Sequence, residues 1–117
     1  MSNTHVLIEI DEGIGTLTLN RPQKLNSFIG TMRDEIANGI EKLSGDASVR
    51  CVILTGAGRA FCAGADVTYL TKLIESKAID EAIALVEAGR QVTRAIREMP
   101  KPVIAAINGA AAGGGAN

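Results

Sequence analysis

The chain has 117 residues, of which 46% are hydrophobic, 3% aromatic and 21% charged, and its formal net charge is −1. This composition argues against disorder, and the near-neutral charge gives no electrostatic basis for binding nucleic acid or an anionic membrane. No apolar run approaches the ~20 residues of a membrane-spanning helix, and the N-terminus lacks a secretory signal pattern, so we expect a cytoplasmic protein.

The first part of the chain predicts a β-hairpin followed by a helix. Apolar residues alternate in Val6–Ile10 and in Thr16–Leu19, around a short turn that contains glycine. From Ile29 to Leu43 they recur at steps of three and four, which is typical of one face of an amphipathic helix. One residue of Asn26-Ser27 is expected to cap the start of this helix, and Ser44-Gly45 to end it.

The remainder alternates strand and helix patterns. Val49–Thr55 and Val103–Ile107 are nearly continuous apolar runs of strand length, as in strands that are buried on both faces. Between them, apolar positions predict a short helix through Leu70–Ile74 and a longer one through Ile79–Ile96, which ends before Pro100. This order predicts an α/β fold.

The two cysteines and the single histidine do not predict a metal site. Cys51 and Cys62 form no C-x-x-C pair, and His5 lies near the N-terminus, far from both in the sequence. We expect both cysteines to be buried free thiols in a reducing compartment. Cys62 has no evident basic partner, so we interpret it as a packing residue and not as a nucleophile.

Each predicted buried strand is followed by a loop of small residues. The first loop is Gly56–Asp66 and the second is Asn108–Gly115. Both leave the C-terminal end of a strand, where α/β sheets bind ligands, and both should lead into helices whose first N–H groups are unpaired. Small residues let a ligand approach the backbone. Two such loops side by side can hold one oxygen between two N–H donors, which is an oxyanion hole.

Other interpretations of the glycines are weaker. Gly56-x-Gly58 follows a strand, but Phe61 stands at the third glycine position of a dinucleotide fingerprint, and the Gly-Lys-Ser/Thr of a P-loop is absent. The glycines can also serve only tight turns and helix–strand packing. A nucleotide-binding α/β domain therefore stays open as an alternative.

Three segments resemble signature sequences of the crotonase (enoyl-CoA hydratase/isomerase) superfamily. Ala60–Asp66 resembles A-F-x-A-G-A-D, Asn20–Ser27 resembles N-R-P-x-x-x-N-A/S, and Lys101–Gly115 is similar to K-P-x-I-A-A-I-N-G…G-G-G. The segments occur in the order of the family. The resemblance implies a crotonase-like ββα spiral fold with an N-terminal β-hairpin. Residues 1–117 would then be the N-terminal part of a single acyl-CoA-binding domain, apparently truncated.

The resemblance also implies site residues and partners. The backbone N–H groups of Ala63 and Gly114 would hold a thioester oxygen as it becomes an enolate. Asp66 would lie near the CoA adenine or orient the loop, and it is equally well placed to cap the following helix. The substrate would be an acyl-CoA, with no separate cofactor and no metal, and the protein would form homotrimers or hexamers. The implied substrate- and CoA-binding residues are Lys24, Leu25, Ala63, Gly64, Ala65, Asp66 and Gly114.

Asn117 departs from the family pattern. In the hydratases, the second residue after the last glycine of G-G-G is a catalytic glutamate, whereas an amide cannot accept a proton at neutral pH. A two-glutamate hydration is thereby in doubt, and enzymes that use one carboxylate, such as double-bond isomerases, stay open. That carboxylate would lie outside this chain. The alternative is a family member that binds acyl-CoA without catalysis, or a scaffold subunit.

Overall fold

The structure is a computed structural model that describes residues 4–117. The predicted hairpin is confirmed, because Val6–Asp11 (β1) and Ile14–Leu19 (β2) pair antiparallel with Val6 opposite Leu19. The predicted short and long helices are confirmed as Val67–Glu75 (α2) and Ile79–Arg97 (α3). The strands are β1 (Val6–Asp11), β2 (Ile14–Leu19), β3 (Cys51–Gly56), β4 (Ala60–Cys62), β5 (Val103–Ala105) and β6 (Ala110–Ala111); the helices are α1 (Met32–Gly45), α2 (Val67–Glu75) and α3 (Ile79–Arg97), with 3-10 turns at Pro22–Lys24 and Gly113–Gly115.

The strands form two sheets. The larger one has the order β1-β2-β3-β5, and its last three strands run parallel to one another. The smaller one is the parallel pair of β4 and β6. With α1 packed on the sheet and α3 packed on α1, this arrangement confirms the predicted α/β fold.

The core lies between α1 and the larger sheet. The predicted apolar face of α1 is confirmed, because Met32, Ile36, Ile40 and Leu43 are buried in one cluster with residues of β1, β2 and β3. Gly39 permits the close approach, since a Cβ at this position would lie 2.8 Å from a methyl carbon of Leu17 in β2. Among residues 4–117, none of the helices combines the length and the apolarity needed to cross a membrane.

The start of α1 was predicted too early. The helix begins at Met32, and its N-cap residue Thr31 makes no side-chain capping hydrogen bond. Before it, Leu25 and Asn26 have φ values of 54° and 57°, which are not helical. Asn26 and Ser27 therefore do not cap α1; they make buried contacts to other segments. The helix was predicted to begin earlier because Ile29 fits the apolar periodicity of α1, although it lies before the helix.

The burial predicted for the strand at Val103–Ile107 was also wrong. In this structure β5 is an edge strand that ends at Ala105, and Ile104 within it and Ile107 after it are 53% and 55% exposed. β3 is an interior strand, but only its Val52 is fully buried. The first loop contains the short strand β4, which the sequence did not predict because three residues give no usable periodicity. Cys51 is half-buried and not buried as expected.

Candidate functional site

The two small-residue loops lie side by side, as the sequence predicted. β4 and β6 pair in parallel, with Ala60 opposite Ala110 and Cys62 opposite Ala111. The backbone N–H of Ala112 then donates to the carbonyl oxygen of Cys62 at 3.0 Å. The loops therefore leave this small sheet together and in the same direction.

Glycine is required where the loops touch. A Cβ built on Gly64 would lie 2.9 Å from the carbonyl oxygen of Ala112 and 3.5 Å from the Cα of Gly113. Gly64 also has a φ of 95°, a conformation that other residues rarely adopt. The residues that follow this contact, one on each loop, are Ala65 and Gly114.

Ala63 does not present a free donor at this point. Its backbone N–H donates to the carbonyl oxygen of Leu25 at 3.0 Å, and this bond ties the first loop to the turn that precedes α1. The donor role that the resemblance implied for Ala63 is therefore not supported by the geometry. Ala63 instead fixes the position of the loop.

Ala65 presents the free donor that the sequence analysis missed. The N–H of Phe28 donates to the carbonyl oxygen of Gly64 at 2.7 Å, and the N–H of Asp66 donates to the carbonyl oxygen of Phe28 at 3.0 Å. In a trans peptide the C=O of one residue and the N–H of the next point in opposite directions. The Ala65 N–H therefore points away from Phe28, and it has no acceptor within residues 4–117.

Gly114 offers a second unpaired N–H. The carbonyl oxygen of Gly113 accepts hydrogen bonds from the N–H groups of Ala116 and Asn117, at 3.0 Å and 3.3 Å. The same peptide directs the N–H of Gly114 the other way, where the described part of the chain offers no acceptor. Gly114 lies against Phe28, since a Cβ on this glycine would be 3.2 Å from the aromatic ring.

Asp66 is held from two sides. One carboxylate oxygen accepts the N–H of Tyr69 at 2.9 Å, which confirms the predicted cap of α2. The other lies 3.0 Å from Nη1 of Arg21 and 3.4 Å from the hydroxyl of Ser27. The hydrogen bond from Tyr69 and the Arg21 cation lower the pKa of Asp66 below its ordinary value of 3.8. Both oxygens already have partners within the protein, which does not favour a direct contact with a CoA adenine.

The other predicted CoA-binding residues lie beside the first loop. Lys24 ends the 3-10 turn with an exposed side chain, for which the described residues provide no hydrogen-bond or ion-pair partner. Leu25 is half-buried with a positive φ, and its carbonyl oxygen is the acceptor for Ala63. Leu25 is therefore joined to the 63–66 stretch, and Lys24 is its neighbour in the chain.

A cleft of about 1060 Å³ opens next to Gly114. Its walls are mainly apolar side chains of the larger sheet, α1 and α3, and Asn117 also lines it. Arg33 places its guanidinium 4.6 Å from the ring centroid of Phe28, and burial lowers the pKa of this arginine. None of the described residues that line the cleft is an aspartate or a glutamate. The arginines that line it are Arg33, Arg90, Arg94 and Arg97.

Cys62 is a buried packing residue. Its Sγ donates to the carbonyl oxygen of Asn26 at 3.1 Å, and burial raises the pKa of the thiol. A neutral thiol is a poor nucleophile, which agrees with the interpretation from sequence. Within residues 4–117, no group of three or more His, Cys, Asp and Glu side chains could hold a metal ion.

These features define a class of protein. It has an α/β fold in which two small-residue loops, each following a parallel strand, touch one another, and each loop carries one unpaired backbone N–H next to the contact. Comparison with known proteins is more specific. Residues 9–117 match the enoyl-CoA hydratase/isomerase family. The chain therefore belongs to the enoyl-CoA hydratase/isomerase family, and the nucleotide-binding alternative is set aside.

Individual relatives agree with this family. The chain is 40% identical over 111 residues to 1,2-epoxyphenylacetyl-CoA isomerase of Escherichia coli K12, which covers 95% of the chain and 42% of the relative. It is 29% identical to trans-2-decenoyl-[acyl-carrier-protein] isomerase of Streptococcus mutans, over 100% of the chain and 44% of the relative. The crystal structure of enoyl-CoA hydratase from Bacillus anthracis superposes with a TM-score of 0.85 at 33% identity, over 96% of the chain and 43% of that structure. The chain thus spans less than half the length of these relatives.

Proposed function

We propose that this chain provides the thioester-oxygen site of an acyl-CoA enzyme of the hydratase/isomerase type. The observation that carries the proposal is the unpaired N–H of Ala65, next to the point where Gly64 meets Gly113. With the N–H of Gly114, it would bind the thioester oxygen when loss of an α-proton makes that oxygen an enolate. One such donor contributes about 3–4 kcal/mol to transition-state stabilisation.

The CoA moiety would lie along the first loop and the turn before α1. Lys24 is an exposed cation without an internal partner, and this suits it to a phosphate group. Gly64 and Ala65 leave the backbone open to a ligand. In this arrangement Ala63, Leu25 and Asp66 support the site through their hydrogen bonds within the protein, and the coenzyme is part of the substrate.

Isomerisation fits the site better than hydration. Asn117 stands where the hydratases carry a glutamate, and no carboxylate among the described residues lines the adjacent cleft. Isomerisation needs one base, which removes a proton from the α-carbon and returns it elsewhere on the acyl chain, so that no water is added. That base would come from outside residues 4–117.

The second candidate is binding of acyl-CoA without turnover, and Asn117 at the position of the hydratases' glutamate favours it. Incubation with 2-enoyl- and 3-enoyl-CoA thioesters, followed by chromatography and mass spectrometry, separates the candidates. An isomerase yields a product of unchanged mass and new retention, and a hydratase yields a product heavier by one water. Binding in a calorimeter without any product would establish the second candidate.

The donor itself is tested by Ala65→Pro, which removes the N–H, against Ala65→Gly, which keeps it. If the proposal holds, the proline variant loses turnover or acyl-CoA affinity while the glycine variant retains both. Equal activity of the two folded variants would contradict it. Homotrimers or hexamers stay a prediction from the resemblance, and light scattering on the purified protein measures them. A cytoplasmic location stays a prediction from the sequence.

A further inference from the structure

Arg21 is a buried cation that uses one nitrogen to join three groups. Its side chain is 9% exposed, and Nη1 lies 2.8 Å from the hydroxyl of Ser27, 3.0 Å from the Ser27 carbonyl oxygen and 3.0 Å from a carboxylate oxygen of Asp66. Within residues 4–117, Asp66 is the only carboxylate that pairs with it. The pair joins segments that are 45 residues apart in the sequence.

The partner Asp66 directly follows Ala65, the residue with the unpaired N–H. The backbone of Asp66 is fixed by its N–H bond to Phe28, and its second carboxylate oxygen is fixed by Tyr69 in the first turn of α2. The Ala65 peptide is thus flanked by residues with assigned partners. Among the bonds that hold Asp66, only the bond from Arg21 is an ion pair with the side chain of another segment.

We propose that Arg21 is a positioning residue: through Asp66 it holds in place the segment that carries the Ala65 N–H, whose direction is set by the backbone bonds to Phe28. This inference rests on the proposed function, because it assumes that the Ala65 N–H meets the thioester oxygen. The value of such a donor depends on its being fixed before the reaction, and a displacement of about 1 Å in an active site can reduce the rate roughly a hundredfold.

Removing either partner alone would also destabilise the fold, since it leaves a buried charge unpaired. The double variant Arg21→Met/Asp66→Asn avoids this difficulty. It removes both charges, and asparagine at position 66 can still accept the N–H of Tyr69 as an N-cap. The double variant should therefore fold, and it lacks the charged tie between the two segments together with the two bonds from Arg21 to Ser27.

The experiment compares kcat, KM and Tm of wild type, Asp66→Asn and the double variant on the thioester that wild type converts. A positioning role predicts that kcat of the double variant falls by roughly ten- to a hundredfold, that KM changes by less than this, and that Tm recovers relative to Asp66→Asn. A recovered Tm together with wild-type kcat would overturn the inference and leave the proposed function intact.

A readout without turnover keeps the two proposals separable. In the ligand-free protein, the inference predicts that the amide resonance of Ala65 shifts or broadens in the double variant relative to Asp66→Asn, which carries the same neighbouring substitution, while that of Gly114 does not. Failure of wild type to convert or bind any acyl-CoA would defeat the proposed function. An unchanged Ala65 resonance in the folded double variant would defeat the positioning role.

Discussion

Asn26 and Asn108 hold the same acceptor, because the side-chain amide of each donates to the carbonyl oxygen of Ala60, at 2.9 Å and 3.0 Å. Asn26 also donates to the carbonyl oxygen of Ala57, and Asn108 to that of Gly58. The turn between β3 and β4 is therefore held from one side by the segment before α1 and from the other by the second loop. This arrangement places both loops relative to one another.

The first prediction concerns these two asparagines. Asn26 is fully buried, and its oxygen accepts the N–H of Arg21 at 2.7 Å. Asn26→Ala leaves that N–H and the Ala57 carbonyl without partners, so we expect the free energy of unfolding to fall by at least about 3 kcal/mol. Asn108→Ala is the control. Its site is exposed and the carbonyl oxygen of Ala60 keeps its hydrogen bond from Asn26, so we expect a loss of about 1 kcal/mol. Urea unfolding measures both free energies, and equal losses would contradict the larger role of the buried Asn26 bonds.

The second prediction tests the contact between the loops. Gly64→Ala introduces backbone strain at a φ of 95° and a methyl group 2.9 Å from the carbonyl oxygen of Ala112. Gly30→Ala also places alanine at a positive φ, 50°, but with no atom within 4 Å. We expect Gly30→Ala to cost about 1–2 kcal/mol, and Gly64→Ala to cost more and also weaken acyl-CoA binding. Should the two variants prove equally stable and bind equally well, the loops do not touch as described.

The third prediction concerns acid. The pKa of Asp66 is held below 3.8 in the folded state by the N–H of Tyr69 and by Arg21. A lowered carboxyl pKa contributes stability that is present above the unfolded value and is lost as the pH falls through the folded value. We therefore expect wild type to lose more stability than Asp66→Asn as the pH is lowered past 3.8. Denaturant midpoints across this range measure the difference, and parallel pH profiles would count against the ion pair.

Periodicity and small-residue runs predicted much of this fold. The alternation in β1 and β2 and the apolar spacing in α1, α2 and α3 identified those elements. The position of Asp66 before Val67 predicted the cap that the structure contains. The two loops were expected to act together because both leave the C-terminal end of a predicted buried strand, and the pairing of β4 with β6 confirms that they are neighbours.

The details that decide the site depend on contacts that no local pattern encodes. The choice between Ala63 and Ala65 as donor depends on which way each peptide faces, and this is set by Leu25 and Phe28, more than 30 residues earlier in the chain. Likewise, Asn26 looked like a helix cap because asparagine favours that position. Its long-range bonds to Ala57 and Ala60 exist only in the folded protein.

The proposed function assigns the thioester oxygen to the N–H groups of Ala65 and Gly114, and not to that of Ala63. Titration of the ¹⁵N-labelled protein with an acyl-CoA, followed through the three amide resonances, distinguishes these donors. We expect the Ala65 and Gly114 resonances to move downfield as they acquire an acceptor, while the Ala63 resonance stays in place because its N–H already donates to Leu25. Movement of Ala63 with Ala65 unchanged, under saturating ligand, would contradict this assignment.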